Sequence, residues 1–276
     1  MKILSGTELV GYIQERQARQ VRGLRQAEGV FPKLVIIQTV DNPVIDTYVR
    51  MKKRYAEDIL IDVLHEKVTE DEAVELIKQY NADQSVHGII IQLPLADTAR
   101  TAELVNLVKP EKDVDGLGSG AIYDPATPMA IQWLLAGYNV ELRQKKVVLV
   151  GRGRLVGEPL ARIWQASGID VTVLDRSSGD LGPHLRDADV IVTATGVPGL
   201  ITSDMIRPDT TVVDAATAGE KGSIVGDLAD DVYERHDLKI TPRKGGVGPL
   251  TVAALFDNVI RAARDSVEAT TENNVT

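Results

Sequence analysis

Cysteine is absent from the 276-residue sequence. Its absence excludes disulfide frameworks, thiolate metal sites and cysteine nucleophiles. Also missing is any apolar run approaching the roughly 18 residues that a membrane-crossing helix needs. The opening Met1-Lys2-Ile3-Leu4-Ser5-Gly6 lacks the long apolar core of a secretory leader. Lysine and arginine number 31 against 40 aspartates and glutamates, a formal charge of −9, and no sustained basic stretch occurs. Nucleic acid is therefore not an expected partner. Neither an internal repeat nor a low-complexity linker interrupts the chain, and no metal is expected. What is present is an ordinary balance of 43% hydrophobic and 26% charged residues. The expectation is a soluble cytoplasmic protein, long enough for two domains with separate cores.

Both halves alternate strand and helix. Ser5-Gly6-Thr7-Glu8 has the capping-box pattern and opens a helix to about Glu28. Leu34 to Val40 is a β-branched run that predicts a buried strand. Asp41-Asn42-Pro43 predicts a turn, and a helix follows from about Val44 to Asp58. A strand near Ile61 to Leu64, a helix capped at Thr69 to Glu72 and a strand over Val86 to Leu93 complete this half. In the second half a helix is predicted from Thr127 to Leu135 and strands over Val147 to Val150, Asp170 to Leu174, Val190 to Thr193 and Thr211 to Asp214. A last helix, about Pro249 to Val267, carries Leu250, Ala253, Leu255, Val259 and Ala262 at helical spacing. The predicted class is α/β, with two domains of parallel sheet covered by helices.

Gly151-Arg152-Gly153-Arg154-Leu155-Val156-Gly157 lies between a predicted strand and a predicted helix. Glycines there permit a tight turn and let backbone N–H groups approach a pyrophosphate at a helix N-terminus. A glycine-rich β-α turn without a ligand is the plainer alternative. Asp175 ends the next strand, where an acidic group accepts from a ribose 2′-OH and favours NAD. Arg176 follows it and favours a 2′-phosphate, hence NADP; a plain surface turn is also open. In the first half, Tyr48 and Lys52 share one helix face, Gln92 ends a buried strand, and Asp113 and Asp115 flank Val114 at the domain junction. These groups could converge on a ligand, or form a solvated face and two turns.

The ordered motifs resemble those of the bifunctional methylenetetrahydrofolate dehydrogenase/cyclohydrolases. Tyr48-Val49-Arg50-Met51-Lys52 resembles their Y-V-x-x-K segment. His87 to Leu95 resembles the strand G-I-x-V-Q-L-P-L, and Lys112-Asp113-Val114-Asp115-Gly116 matches K-D-V-D-G. Pro125-Ala126-Thr127-Pro128 resembles P-C-T-P, and Gly151-Arg152-Gly153 with Val156-Gly157 resembles G-R-S-x-x-V-G. Gly245 to Thr251 resembles G-G-V-G-P-M-T.

The resemblance implies a folate-binding catalytic domain over 1–120, completed by a helix over 250–270, and a Rossmann-like NAD(P)-binding domain over 121–249. It implies a homodimer that oxidises 5,10-methylenetetrahydrofolate with NADP, NAD being possible, and hydrolyses the methenyl product to 10-formyltetrahydrofolate. Lys52 would be the main catalytic group, Gln92 would orient it, Tyr48 would stack on the folate and Asp115 would hold the pterin. Gly246, Val247, Gly248 and Pro249 would approach the folate. Gly151, Arg152, Gly153, Gly157, Asp175, Arg176 and Thr217 would meet the dinucleotide.

Departures from the family pattern cluster on the cofactor side. Gly153 replaces a serine, Asp175 a histidine, Lys244 a proline, and Ala215-Ala216-Thr217-Ala218 stands where V-G-I-N is usual. On the folate side, Ile45 replaces a serine. Other readings are a cyclohydrolase without dehydrogenase activity, a Rossmann dehydrogenase for another substrate, and a non-catalytic folate- or dinucleotide-binding module.

Overall fold

The structure, a computed structural model, describes residues 1–216, 218–220 and 223–273. In chain order the first half holds β1 (Lys2–Ile3), α1 (Gly6–Ala27), β2 (Lys33–Gln38), α2 (Pro43–Asp58), β3 (Asp62–Lys67), α3 (Glu70–Ala82), β4 (Gly88–Gln92) and α4 (Thr101–Leu107). The second holds α5 (Ala126–Gly137), β5 (Val147–Val150), α6 (Gly157–Ala166), β6 (Val171–Leu174), α7 (Gly182–Asp187), β7 (Val190–Thr193) and β8 (Thr211–Asp214). It ends with β9 (Ala218–Glu220), β10 (Ser223–Val225), α8 (Asp230–Tyr233), β11 (Lys239–Ile240) and α9 (Val247–Asn273).

Two compact units result. One comprises Gly11–Ala126 and Val252–Thr276, the other Met1–Val10 and Thr127–Thr251. The dividing points therefore differ from the expected 120/121 and 249/250, and the first ten residues go with the second unit. Backbone pairing gives the reason. β1 lies parallel to β11, with Lys2 N donating to Leu238 O at 2.9 Å and Leu4 N to Ile240 O at 2.8 Å. A two-residue strand has no period to read, so this pairing leaves no trace in the sequence.

The 11–126 unit is built on a three-stranded parallel sheet in the order β3-β2-β4. Leu34 to Ile37 on β2 and Ile89 to Ile91 on β4 are buried, as unbroken apolar runs in a parallel sheet should be. Gln38 and Gln92 are register partners at the carboxyl ends of β2 and β4. Asn42 is not merely part of a turn: it caps α2, its side chain accepting from Val44 N at 2.8 Å, and Pro43 fills the first turn. α3 has the predicted reciprocal cap of Thr69 and Glu72. Within the unit, Phe256 of α9 stacks on Tyr55 of α2 at 5.5 Å, and the Tyr55 hydroxyl donates to buried Gln17 at 2.7 Å.

The second unit carries a six-stranded parallel sheet in the order β1-β11-β8-β7-β5-β6, plus the antiparallel β9–β10 pair. Here the predicted box at Ser5 is half formed. Ser5 Oγ accepts from Glu8 N at 3.3 Å, but the Glu8 carboxylate takes the Tyr138 hydroxyl at 2.7 Å instead of returning to the backbone.

Candidate active site

In the 11–126 unit, two sequence-predicted groups, Lys52 and Gln92, meet at the carboxyl end of β4. α2 carries Tyr48 and Lys52 one turn apart, both half-buried. Lys52 Nζ donates to Gln92 Oε1 at 2.9 Å, and the Gln92 amide donates to Leu93 O at 3.1 Å, before the cis Leu93–Pro94 bond. Burial pushes the Lys52 ammonium below the ordinary lysine range, opposed by the negative charge of Asp115. Burial likewise pushes the Asp115 carboxyl up, opposed by Lys52 and reinforced by Asp113.

The two aspartates of this loop have different tasks. Asp113 is buried and its carboxylate accepts backbone N–H groups of Gly116 at 3.1 Å, Leu117 at 3.4 Å and Gly118 at 2.8 Å. Those amides spend its lone pairs on folding the loop. Asp115, half-buried, is instead the one whose charge is felt by Lys52. The loop is fixed from two further sides. Ile89 N of β4 donates to Lys112 O at 2.8 Å, and Asn258 Nδ2 of α9 donates to Val114 O and Asp124 O, both at 2.9 Å. Gly116 has φ 68° and a Cβ there would lie 2.6 Å from Tyr123 O, so this turn requires glycine.

Sequence reasoning missed Asn258 and Gln38. Asn258, 2% exposed, interrupts the apolar face of α9, and a polar residue inside such a stripe was the available signal. Gln38, 1% exposed, ties the first turn of α2 to the sheet. Its amide donates to Asp46 Oδ1 at 3.0 Å and Val40 O at 2.8 Å, while its oxygen meets His65 Nε2 at 2.8 Å.

In the second unit the glycine loop follows β5 and leads into α6. Gly151 has φ 109°, and a Cβ there would lie 2.6 Å from Ala194 O. A Cβ on Gly157 would lie 2.0 Å from Gly151 O, whereas one on Gly153 would meet nothing within 4 Å. The first and last glycines are therefore demanded by the backbone, and the middle one leaves open space over the loop. Gly153 O accepts from Glu158 N at 3.0 Å and Val156 N at 3.3 Å, which aligns the start of α6 behind that space. A tight loop opening on a helix N-terminus fits a dinucleotide's pyrophosphate. Arg152 Nε donates to Asp175 Oδ2 at 3.2 Å, so two residues assigned independently to the cofactor are paired. Arg176 is exposed. Thr217 lies outside the described residues.

Gly246, Val247, Gly248 and Pro249 also belong to this unit; Gly246 precedes α9 and the other three form its first turn. Packing accounts for part of the glycine pair. Gly245 has φ 82° with a Cβ position 2.6 Å from Thr7 Oγ1, and a Cβ on Gly246 would lie 3.1 Å from Thr241 Cβ. Two further carboxylates, Asp227 buried and Asp214 half-buried, were not anticipated. Asp227 accepts from Thr195 N at 2.7 Å and Val197 N at 3.0 Å, and Asp214 from Ala216 N at 3.1 Å and Leu228 N at 3.2 Å. Both fasten loops at the carboxyl ends of β7 and β8. Burial pushes the Asp214 carboxyl up.

Residues 4–115 match the family described as tetrahydrofolate dehydrogenase/cyclohydrolase, catalytic domain, and residues 125–267 match its NAD(P)-binding domain. The bifunctional protein FolD of Exiguobacterium sibiricum is 34% identical over 275 residues, covering 95% of this chain and 99% of that protein. The crystal structure of the bifunctional FolD methylenetetrahydrofolate dehydrogenase/cyclohydrolase of Campylobacter jejuni is similar at 33% identity and a TM-score of 0.89, covering 96% of this chain and 99% of that one. The Trypanosoma brucei methylenetetrahydrofolate dehydrogenase-cyclohydrolase, complexed with NADP cofactor and inhibitor, has 28% identity and a TM-score of 0.90 over 96% of this chain and 98% of that one. With both family domains matched in order and relatives aligned from end to end, the chain belongs to the tetrahydrofolate dehydrogenase/cyclohydrolase family.

Proposed function

We propose that the protein oxidises 5,10-methylenetetrahydrofolate to the methenyl form with NADP as hydride acceptor, NAD being a possible substitute, and hydrolyses the methenyl form to 10-formyltetrahydrofolate. The observation that carries the reading is the Lys52–Gln92 hydrogen bond of 2.9 Å beside half-buried Asp115, within the unit that matches the family's catalytic domain. A lysine pushed down by burial has more neutral amine near pH 7, and a neutral amine can take a proton. In the hydrolysis, the water oxygen bonds to the methenyl carbon while Lys52 removes one water proton. The carbon–N5 bond then breaks, the hydroxyl proton passes to N5, and the formyl group stays on N10, with one proton released overall. Gln92 points the lysine, Tyr48 stacks on the folate, and Asp115 accepts hydrogen bonds from the pterin. Gly246 to Pro249 contribute backbone close to the substrate.

The dinucleotide supplies the hydride acceptor. Gly151, Gly153 and Gly157 give its pyrophosphate room, and Arg152, Asp175 and Arg176 meet its adenosine half. Hydride transfer needs no protein nucleophile, so positioning is the contribution of these residues.

We further propose a cytoplasmic homodimer. Among the described residues no helix is long and apolar enough to cross a membrane. β3 is an edge strand, and Leu64 on it and Leu60 before it are 39% and 41% exposed. An open edge with apolar side chains suits a second copy of the chain.

The test is turnover of 5,10-methylenetetrahydrofolate with NADP and NAD in parallel, following reduced nicotinamide and quantifying methenyl and 10-formyl products. Reduction with formation of 10-formyl product is expected. No reduction with either cofactor would defeat the dehydrogenase assignment, and feeding the methenyl form directly would then decide the cyclohydrolase.

A further inference from the structure

The phosphate loop and the Asp175 turn share one strand end. Val150 and Leu174 are the last register partners of β5 and β6, and Gly151 N donates to Leu174 O at 2.7 Å just beyond them. Arg152 spans the gap to Asp175 Oδ2 at 3.2 Å. The other carboxylate oxygen accepts from Ser177 N at 2.9 Å and Ser177 Oγ at 2.6 Å, and Ser178 Oγ accepts from Asp175 N at 2.9 Å. Asp175 is thus held by its own turn, independently of Arg152. The Ser177 hydrogen bonds, with help from Arg152, keep its carboxyl below the usual range, so it is ionised at neutral pH.

We propose that Asp175 is the residue that sets the balance between NADP and NAD, by competing with the 2′-phosphate for Arg152 and by presenting a fixed anion to the adenosine ribose. The proposal rests on the dinucleotide reading above. In a βαβ nucleotide site, an acidic group ending the second strand accepts from the ribose 2′-OH. A 2′-phosphate brings three acceptor oxygens and close to two negative charges, and seeks a guanidinium. Arg152 can serve it, because its side chain is 57% exposed and its present ion pair is of the weak exposed kind. Freeing Arg152 does not remove the anion, which Ser177 holds in place. The phosphate therefore gains one charge partner and meets one like charge. The 2′-OH of NAD meets an acceptor already oriented. The expected outcome is a protein that discriminates weakly between the two cofactors and binds NAD in a useful range.

Direct binding tests this apart from catalysis. NADPH and NADH are titrated into the full-length protein and nicotinamide fluorescence gives two dissociation constants, repeated for Asp175→Asn, Asp175→Ser and Arg152→Ala. Asp175→Asn keeps the size and an acceptor for Ser177 but removes the charge. Removing the like charge is expected to tighten NADPH about tenfold and to weaken NADH severalfold. Arg152→Ala is expected to weaken NADPH far more than NADH. Melting curves establish that each variant is folded. An unchanged NADPH-to-NADH ratio in both Asp175 variants overturns the proposal while leaving the dinucleotide reading intact. Binding of neither cofactor to the unaltered protein overturns both. Binding without hydride transfer leaves this proposal standing and defeats only the dehydrogenase.

Discussion

Replacing Asn258 should damage folate binding from a distance. Its side-chain amide is the donor for two backbone carbonyls, Val114 O and Asp124 O, at 2.9 Å each, in a site that is 2% exposed. Asn258→Ala leaves both carbonyls without this donor. A buried carbonyl that loses its partner costs about 1–3 kcal/mol, the lower figure applying where water enters. Two carbonyls give about 2–4 kcal/mol, since the void left by the side chain admits some water. Asn258→Asp keeps the shape but turns an acceptor toward two acceptors, so it should cost more than alanine. The loss falls on the 11–126 unit, and the assay can see that. Both tryptophans, Trp133 and Trp164, lie in the other unit. Urea unfolding followed by far-UV circular dichroism should move to lower denaturant, with tryptophan fluorescence moving less. The loop held by Asn258 carries Asp115, so KM for the folate should rise more than kcat falls. A destabilisation of under about 0.5 kcal/mol, the scale of an ordinary surface change, together with an unchanged KM, would refute the reasoning.

Lys52→Met should lower hydrolysis of supplied methenyltetrahydrofolate at least about a hundredfold, the usual worth of a proton-transfer group, and unchanged hydrolysis would remove Lys52 from the mechanism. Asp115→Asn removes the anion that holds the Lys52 pKa up, so the acid limb of the hydrolysis pH profile should move to lower pH; a shift the other way contradicts the assignment. Gly157→Ala, with a Cβ position 2.0 Å from Gly151 O, should abolish NADPH binding, while Gly153→Ala, with nothing within 4 Å, should keep it. Leu64→Lys on the β3 edge should give monomers in light scattering. Buried His87 is pushed down to about 4 by burial, with Lys112 and Lys33 adding to the shift. The unfolded chain therefore takes up a proton near pH 6.5 that the folded chain refuses until about 4. Stability should fall by roughly 3 kcal/mol between those values, and His87→Gln should flatten that part of the stability–pH curve.

Which parts of this molecule could be read from the sequence follows from the range over which each signal acts. Strands β2 and β4 and helix α2 announce themselves by runs and periods several residues long. Two-residue strands such as β1 and β11 cannot, because pairing between Lys2 and Lys239 exists only after the chain has folded. The same limit separates the two aspartates of Lys112-Asp113-Val114-Asp115-Gly116. In sequence they are equivalent flanks of one valine. In space three amides claim Asp113, whereas the charge of Asp115 acts on Lys52. The cofactor side shows the limit most plainly. Asp175 and Arg176 are adjacent and of opposite charge, so the sequence sets them against each other as markers of NAD and NADP. The structure changes the contest, because the cation paired with Asp175 is Arg152, from the preceding loop. Specificity is then a property of a pair joined across two strand ends, and a residue's sign cannot be weighed before its partner is known. That is also why charge removal at Asp175 and cation removal at Arg152 must be measured together. The first alone reports how strongly the anion repels a 2′-phosphate, and only the second reports whether the released guanidinium is what receives it.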